Sequence, residues 1–398
     1  MKVAVIGSGI IGLTLARALL NRHPNCQLDL VDKFSVPSSG TSIRNSGVLH
    51  AGLYYCPNSL KAQLCKKGTL LLEQFISTHS LPLLSCGKLL IPHLAKDYLN
   101  LKKIKDKADA NGCTTELINH SAAQKIQPGL VGRDIYLWSP KTKVFSPSHI
   151  LRTLVSELKS YKVNYVIDEV LKIDSKNKSI YCKKAKLSGY DFIFNVSGPG
   201  SLDLYQNDAQ RALNLKLLPI LGQYAVLKNG PEICTNLYPV PDPELPFLGV
   251  HITPRPGMNP IIGPNALPIL KSYMQTKETF EFKDLASRLG IMTSMYITNK
   301  SNFRVHANSE ISLSATKKFF SNTMRYFSES ESLSVDIAMD GTTYGIRPQL
   351  VDSCNLSFFE DFICDKYYST LHVVNAVSPA FTSSFALAEY LLNRMEAT

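Results

Sequence analysis

The stretch RNSGVLHAGLYY, Arg44 to Tyr55, sets a guanidinium, an imidazole and two phenols around Gly47 and Gly52. An imidazole titrates near neutral pH and takes up a proton. A guanidinium holds an anion, and phenols donate hydrogen bonds. The glycines leave backbone bare, so a large flat group is expected to lie against this stretch with chemistry at its edge.

Such a group needs an anchor, and the start of the chain offers one. Val3 to Ile6 is a short, largely β-branched run, read as a buried parallel strand. Gly7, Gly9 and Gly12 follow as G-x-G-x-x-G, and Leu13, Ala16, Leu19 and Leu20 then recur at helical spacing. A second strand, Gln27 to Val31, ends at Asp32, twenty residues past Gly12. Gly7 permits the tight turn, Gly9 lets backbone approach a pyrophosphate, and Gly12 lets helix and strand pack closely. Free N–H groups and the positive end of the helix dipole face the phosphates, and Asp32 can accept ribose hydroxyls. The pattern predicts dinucleotide binding; FAD and NAD share it, so the fingerprint leaves that choice open.

The 398 residues suggest two domains. Ser59 to Thr78 reads as a helix, Leu81 to Ile91 as strands, and residues 95–128 as helical. Val163 to Ile167, Val170 to Ile173 and Ser179 to Cys182 read as short strands. Tyr190 to Gly198 is an apolar strand entering a small-residue loop. From Leu215 longer alternating strands predict an antiparallel sheet, and residues 265–330 look helical and amphipathic. LHVVNAV, SPAFTSS and FALAEYLLNRM close the chain as strand, loop and helix, returning it to the first domain. The fold class expected is α/β: a Rossmann-like domain from discontinuous segments, plus a second domain with a mostly antiparallel sheet and a helical insertion. The boundaries expected are 1–80, 150–214 and 335–398 for the first, and 81–149 and 215–334 for the second.

Composition narrows the rest. The formal charge is +11, but the lysines are scattered; Lys102, Lys103, Lys105 and Lys107 form the one tight cluster, read as a solvated helix face with steering of an anionic metabolite as the other reading. No basic stripe interleaved with aromatics appears, so nucleic acid is not an expected partner. Nine cysteines, with no C-x-x-C pair, suggest free thiols in a reducing compartment and no zinc site. Residues 3–20 resemble a signal h-region, but three glycines interrupt them, and no longer apolar run follows. The first strand starts almost at Met1, so no cleavable presequence is expected, and a soluble or membrane-peripheral protein is.

Several stretches together resemble the FAD-dependent D-amino-acid-oxidase-like superfamily and, within it, the L-2-hydroxyglutarate dehydrogenase/oxidase family. They are GSGIIG, RNSGVLHAGLYYCPNSLKAQLCKKG, CGKLL, LWSP, YPVPDPELPFLGVHITPR, IIGPNA, YGIRPQ and NAVSPAFTSS, in the family's order over nearly the whole chain. The resemblance implies FAD. Gly7, Gly9, Gly12 and Asp32 would hold its ADP half, and Val170 would meet the adenine. Arg44, Asn45, Ser46 and Gly47 would run along the flavin, and Gly198 would close over the pyrophosphate. Ser378, Thr382 and Ser383 would bring the start of the last helix to the flavin pyrimidine, where its dipole stabilises anionic charge; Thr382 and Ser383 also suit a helix cap. Departures from the family pattern are Asp32 in place of Glu, Leu221 before Gly222, KTKVFS at 141–146, Pro348 and Phe381.

The activity implied is oxidation of L-2-hydroxyglutarate to 2-oxoglutarate by hydride transfer to flavin N5. His50 would accept the hydroxyl proton, with His251 as the other candidate. Arg255 and Arg347 would clamp the carboxylates. Tyr54, Tyr55, Tyr224, Thr253 and Asn265 would line or position the substrate. No metal is expected. The acceptor is oxygen, a quinone or an electron-transfer flavoprotein. The compartment implied is the mitochondrion for a eukaryotic source, and otherwise the cytoplasm or the inner face of the membrane. The other reading is a flavoenzyme acting on an amino acid, an amine or glycerol 3-phosphate.

Overall fold

The computed structural model describes residues 1–37, 39–211, 213–242, 247–270, 282–313, 322–327 and 336–397. Lys2–Ile6 lies in a six-stranded sheet between Gln27–Asp32 and Phe192–Asn195, parallel to both. Val163–Ile167 extends it on one side. Thr370–Asn375 extends it on the other, and Ile363–Tyr367 adds an antiparallel edge. Side chains of the first strand alternate between faces, as a pleat requires. Val3 and Val5 join one core with Leu13, Leu151, Phe194 and Leu387, which come in part from the helices Ile10–Arg22, Pro147–Leu158 and Ala380–Glu396. Ala4 and Ile6 join another with Ile173, Ile180 and Leu204, from a three-stranded antiparallel sheet and the helix Ser201–Ala209. Both faces are covered, which is why Phe192–Asn195 is wholly buried and reads as continuous apolar sequence.

A ten-stranded sheet forms the second layer, built largely on the long antiparallel partners Leu215–Asn229 and Asp336–Asp352. Met258–Gly263, His251–Arg255 and Asn236–Pro239 follow in order, then Lys88–Ile91, Tyr136–Ser139 and Glu116–Ile118. Pairing is antiparallel except between Asn236–Pro239 and Lys88–Ile91. The helices Phe282–Thr298 and Phe303–Leu313 lie in the expected insertion; residues 271–281 and 314–321 of it fall outside the described residues.

Two expectations change. Residues 95–128 are a helix, Ala95–Ala110, then a strand, Glu116–Ile118, then a short helix, His120–Ile126. Gly112, at φ +67°, turns the chain out of the first helix into the sheet edge. The return to the six-stranded sheet comes at Ile363 rather than 335, because Asp336–Asp352 is held along its length by Leu215–Asn229.

Candidate active site

A cavity of about 1280 Å³ runs from the glycine turn to the large sheet. Its first wall is the C-terminal edge of the parallel strands, where Ile6, Val31, Asp32 and Val196 end, the usual ligand crevice of an open α/β sheet. Gly7 has φ +105°, and a side chain at Gly12 would collide with the Gly7 carbonyl, so turn and helix need both glycines. The helix Ile10–Arg22 has no side-chain cap at Gly9; the Ile10 N–H donates instead to Ser42 Oγ at 2.9 Å. Asp32 accepts from the Ser8 N–H and hydroxyl, each at 2.7 Å, so it also fastens the turn it flanks. Val170 and Gly198 line the same cavity, and a Cβ on Gly198 would meet nothing within 4 Å. An uncapped helix start beside a bare glycine turn, with an acid at the next strand's end, fits the pyrophosphate and ribose of FAD.

Arg44, Asn45, Ser46, His50, Tyr54 and Tyr55 bring one short stretch of chain to the cavity wall. Arg44 donates from Nη1 to the Ser39 and Gly40 carbonyls at 3.0 and 3.1 Å, with Tyr344 5.6 Å below its guanidinium. Asn45 accepts from the Gly47 N–H at 2.9 Å, and Ser46 also lines the cavity. Gly47 itself packs into the strand Lys143–Phe145, behind the wall. His50 lines the cavity; its Nδ1 is buried with no hydrogen-bond partner among the described residues. Burial and the charges of Lys88, His251 and Arg347 hold its pKa well below 6.5, so the imidazole is neutral at working pH.

Tyr54 and Tyr55 line the same cavity, their phenols pushed well up by burial, and the Tyr54 hydroxyl has no partner among the described residues. Tyr224 lines the cavity too, burial raising its pKa to about 12 against the Arg347 charge and the Ser46 hydroxyl. His251 stacks on Tyr238 at 3.8 Å, bonds the Gly249 carbonyl at 2.9 Å, and has its pKa lowered to about 3 by burial.

Arg347 enters the cavity from Asp336–Asp352, stacked 5.3 Å from Phe247, and makes no hydrogen bond or ion pair among the described residues. Arg255 is elsewhere. It sits at the turn into Met258–Gly263, its Nε donating to the Asn259 carbonyl at 2.7 Å, and it does not line the cavity. Thr253 is buried in its strand, also away from the cavity. Asn265 lines the wall but spends its amide on Gln223, accepting from N–H at 2.7 Å and donating to Oε1 at 3.1 Å.

The last helix begins at Ala380 with Pro379 as its cap, so Thr382 and Ser383 do not cap it. Both are buried in its first turn, while Ser378 lines the cavity. Thr382 instead accepts from the His50 N–H at 3.3 Å.

Sequence reading missed two buried lysines. Lys88 is 1% exposed, its Nζ 4.2 Å from the Tyr238 ring and 5.3 Å from that of Tyr54; burial lowers its pKa to about 7. Lys61 lines the cavity. The signal was a charge inside an apolar pattern: Lys88 opens the run KLLI, and Lys61 shares a helical stripe with Leu64, Cys65 and Leu72. Two of the clustered lysines, Lys103 and Lys107, reach the cavity mouth. Among the described residues no His, Cys, Asp and Glu group could hold a metal, and no helix is long and apolar enough to cross a membrane.

Residues 2–394 match the family model described as FAD dependent oxidoreductase. The chain is similar to "L-2-hydroxyglutarate dehydrogenase, mitochondrial" of Caenorhabditis briggsae, at 30% identity over 98% of this chain and 92% of that protein. It is 26% identical to L-2-hydroxyglutarate dehydrogenase of Escherichia coli K12, covering 98% and 92%, and 28% identical to the human mitochondrial one, covering 99% and 88%. Among solved structures it resembles FAD-bound L-alpha-glycerophosphate oxidase of Mycoplasma pneumoniae, with TM-score 0.70, 17% identity and coverage of 99% and 94%. Glycine oxidase of Geobacillus kaustophilus gives TM-score 0.74 at 12% identity over 100% and 95%. At these identities the structural likeness establishes the fold.

Proposed function

Because the chain belongs to the FAD dependent oxidoreductase family, and within it groups with the L-2-hydroxyglutarate dehydrogenases, we propose that it oxidises the CH–OH group of L-2-hydroxyglutarate to give 2-oxoglutarate. FAD is the cofactor; when bound it would supply the two-electron acceptor for the oxidation of C2. Gly7, Gly9, the start of the helix Ile10–Arg22 and Asp32 would hold its pyrophosphate and ribose, with Val170 at the adenine end. Ser46, His50 and Ser378 would lie along the flavin end.

The protein's own part is acid–base and electrostatic. His50 takes the hydroxyl proton as C2 is oxidised. Its Nδ1 is shut in the wall, which leaves Nε2 as the nitrogen assigned to the substrate. Arg347, half-buried and with no carboxylate on it among the described residues, binds the carboxylate beside C2. Tyr54 and Tyr224, neutral through the physiological range, donate to substrate oxygens. The observation that carries this reading is a neutral imidazole and a guanidinium with no ion pair among the described residues, on the wall of one cavity that also holds the glycine turn.

The test is anaerobic. The purified protein, loaded with FAD, is mixed with L-2-hydroxyglutarate, its D enantiomer, glycerol 3-phosphate, glycine and L-proline, and flavin bleaching is followed. Bleaching by the L-diacid well ahead of the others supports the reading; preference for glycerol 3-phosphate or an amine overturns it. Re-oxidation by oxygen, a quinone or an electron-transfer flavoprotein then identifies the acceptor. The animal relatives are named mitochondrial and the Escherichia coli one is not, so the compartment proposed follows the source organism.

A further inference from the structure

Arg347 accounts for one carboxylate, and Arg255 is not in the cavity to meet a second. Lys61 is. It is the second residue of the helix Leu60–Thr78 and belongs to its buried stripe, with 8% of its surface exposed. Asp361 fixes the start of that helix by accepting from the Lys61 and Leu60 N–H groups at 2.8 and 3.1 Å. The ammonium itself makes no hydrogen bond or ion pair among the described residues, and the Tyr55 and Phe362 rings each lie 5.8 Å from it. Burial pushes its pKa down to about 8, opposed by Glu360 and Asp361 and reinforced by Arg347. A cation kept in so dry a place without a contacting carboxylate is poised for an anion from outside.

His50, Arg347 and Lys61 line the same cavity, and the Arg347 charge acts on both of the others. A five-carbon 2-hydroxy diacid has one carboxylate on the carbinol carbon and the other beyond two methylenes. With its carbinol at His50, the near carboxylate falls to Arg347 and the far one to Lys61.

We propose that Lys61 binds the distal carboxylate of the substrate and sets the preference for a hydroxy diacid over a hydroxy monoacid. The assignment rests on the hydroxy-acid reading above. It is tested in FAD-loaded Lys61→Met and Lys61→Arg, with L-2-hydroxyglutarate and with L-2-hydroxypentanoate, which carries a methyl where the distal carboxylate would be. Loss of a charge-assisted hydrogen bond lowers the diacid-to-monoacid ratio of kcat/KM by about 30-fold in the Met variant, through KM. The Arg variant recovers most of it. Calorimetry of 2-oxoglutarate with the oxidised holoenzyme shows the same loss in Kd. An unchanged ratio in a folded, flavin-loaded Met variant overturns the proposal.

Should the Met variant fail to fold, the wild-type Kd for 2-oxoglutarate decides. A rise through about pH 8 supports Lys61, and a flat profile overturns it. If the diacid does not bleach wild-type flavin but an amine does, the substrate reading falls and takes this assignment with it. If the diacid bleaches it and Lys61→Met keeps the preference, this assignment falls alone.

Discussion

The N–H of His50 donates to the hydroxyl of Thr382 at 3.3 Å, which ties the loop carrying the imidazole to the first turn of the last helix. The His50 carbonyl is held from another helix, where the Thr69 hydroxyl donates to it at 3.0 Å. Both peptide groups of one residue are thus fixed by segments that lie 19 and 332 residues away. The ring can then keep one position in the cavity wall although its own loop carries Gly47 and Gly52.

His50→Ala is expected to retain yellow FAD and to bleach with L-2-hydroxyglutarate about 10² to 10⁴ times more slowly, the usual worth of a general base. Thr382→Val keeps the imidazole and removes only its tether; a fall of about tenfold in kcat, with flavin content unchanged, is the outcome expected of a misplaced base. Stopped-flow flavin reduction measures both. An unaltered rate in His50→Ala clears that residue of the proton transfer.

The two arginines are expected to part company. From sequence alone they were a matched pair for a carboxylate clamp, but Arg347 lines the cavity and Arg255 holds a hairpin turn. Arg347→Met is expected to cost about 2 to 4 kcal/mol in kcat/KM, since a buried charge-assisted contact is lost. Arg255→Met is expected to leave kcat/KM within about threefold, as substitutions outside a site do. A larger loss at Arg255 would return it to the clamp.

What was legible in the sequence was local. The glycine turn, the following helix and Asp32 follow from spacing, because each acts through backbone within one strand–turn–helix unit. The family motifs placed His50, Tyr54 and Arg347 on one cavity. What spacing could not show was which way a motif residue faces. Arg255 and Thr253 stand in the same strand motif as His251, yet only His251 lines the cavity. Lys61 and Lys88 were passed over because a lysine is ordinarily solvated; only the surrounding apolar stripe and run marked them as buried. Thr382 was assigned to a cap from its residue type, whereas the helix is capped at Pro379, three positions earlier, which frees the hydroxyl for His50.

The pH profile of kcat/KM tests the ionisation states together. A base must be neutral in the free enzyme, and the His50 pKa lies well below 6.5. Lowering the pH from 8 to 6.5 should therefore not reduce kcat/KM through loss of the base. Lys61 acts as a cation with a pKa near 8, so the diacid kcat/KM should fall as the pH rises through about 8. The monoacid, having no distal carboxylate, should lack that limb. An acid limb centred near 6.5 would mean that His50 is solvated like an ordinary histidine, against the burial of its Nδ1.

Gly68→Ala tests whether the two helices that hold His50 are set by their contact. Two effects oppose each other. In mid-helix, alanine is favoured over glycine by about 1 kcal/mol. Here, however, a Cβ would run into the Thr382 carbonyl and sit 2.7 Å from the Ser383 Cα, so one helix must move along its neighbour. Backbone cannot swing aside as a flexible side chain does, and overpacking of this kind costs about 1 to 3 kcal/mol. The clash should win. Gly68→Ala is expected to melt below the wild type and, because Thr382 shifts with its helix, to lose kcat while still binding FAD. A variant that melts higher with full kcat would show that the His50 loop is positioned without this contact.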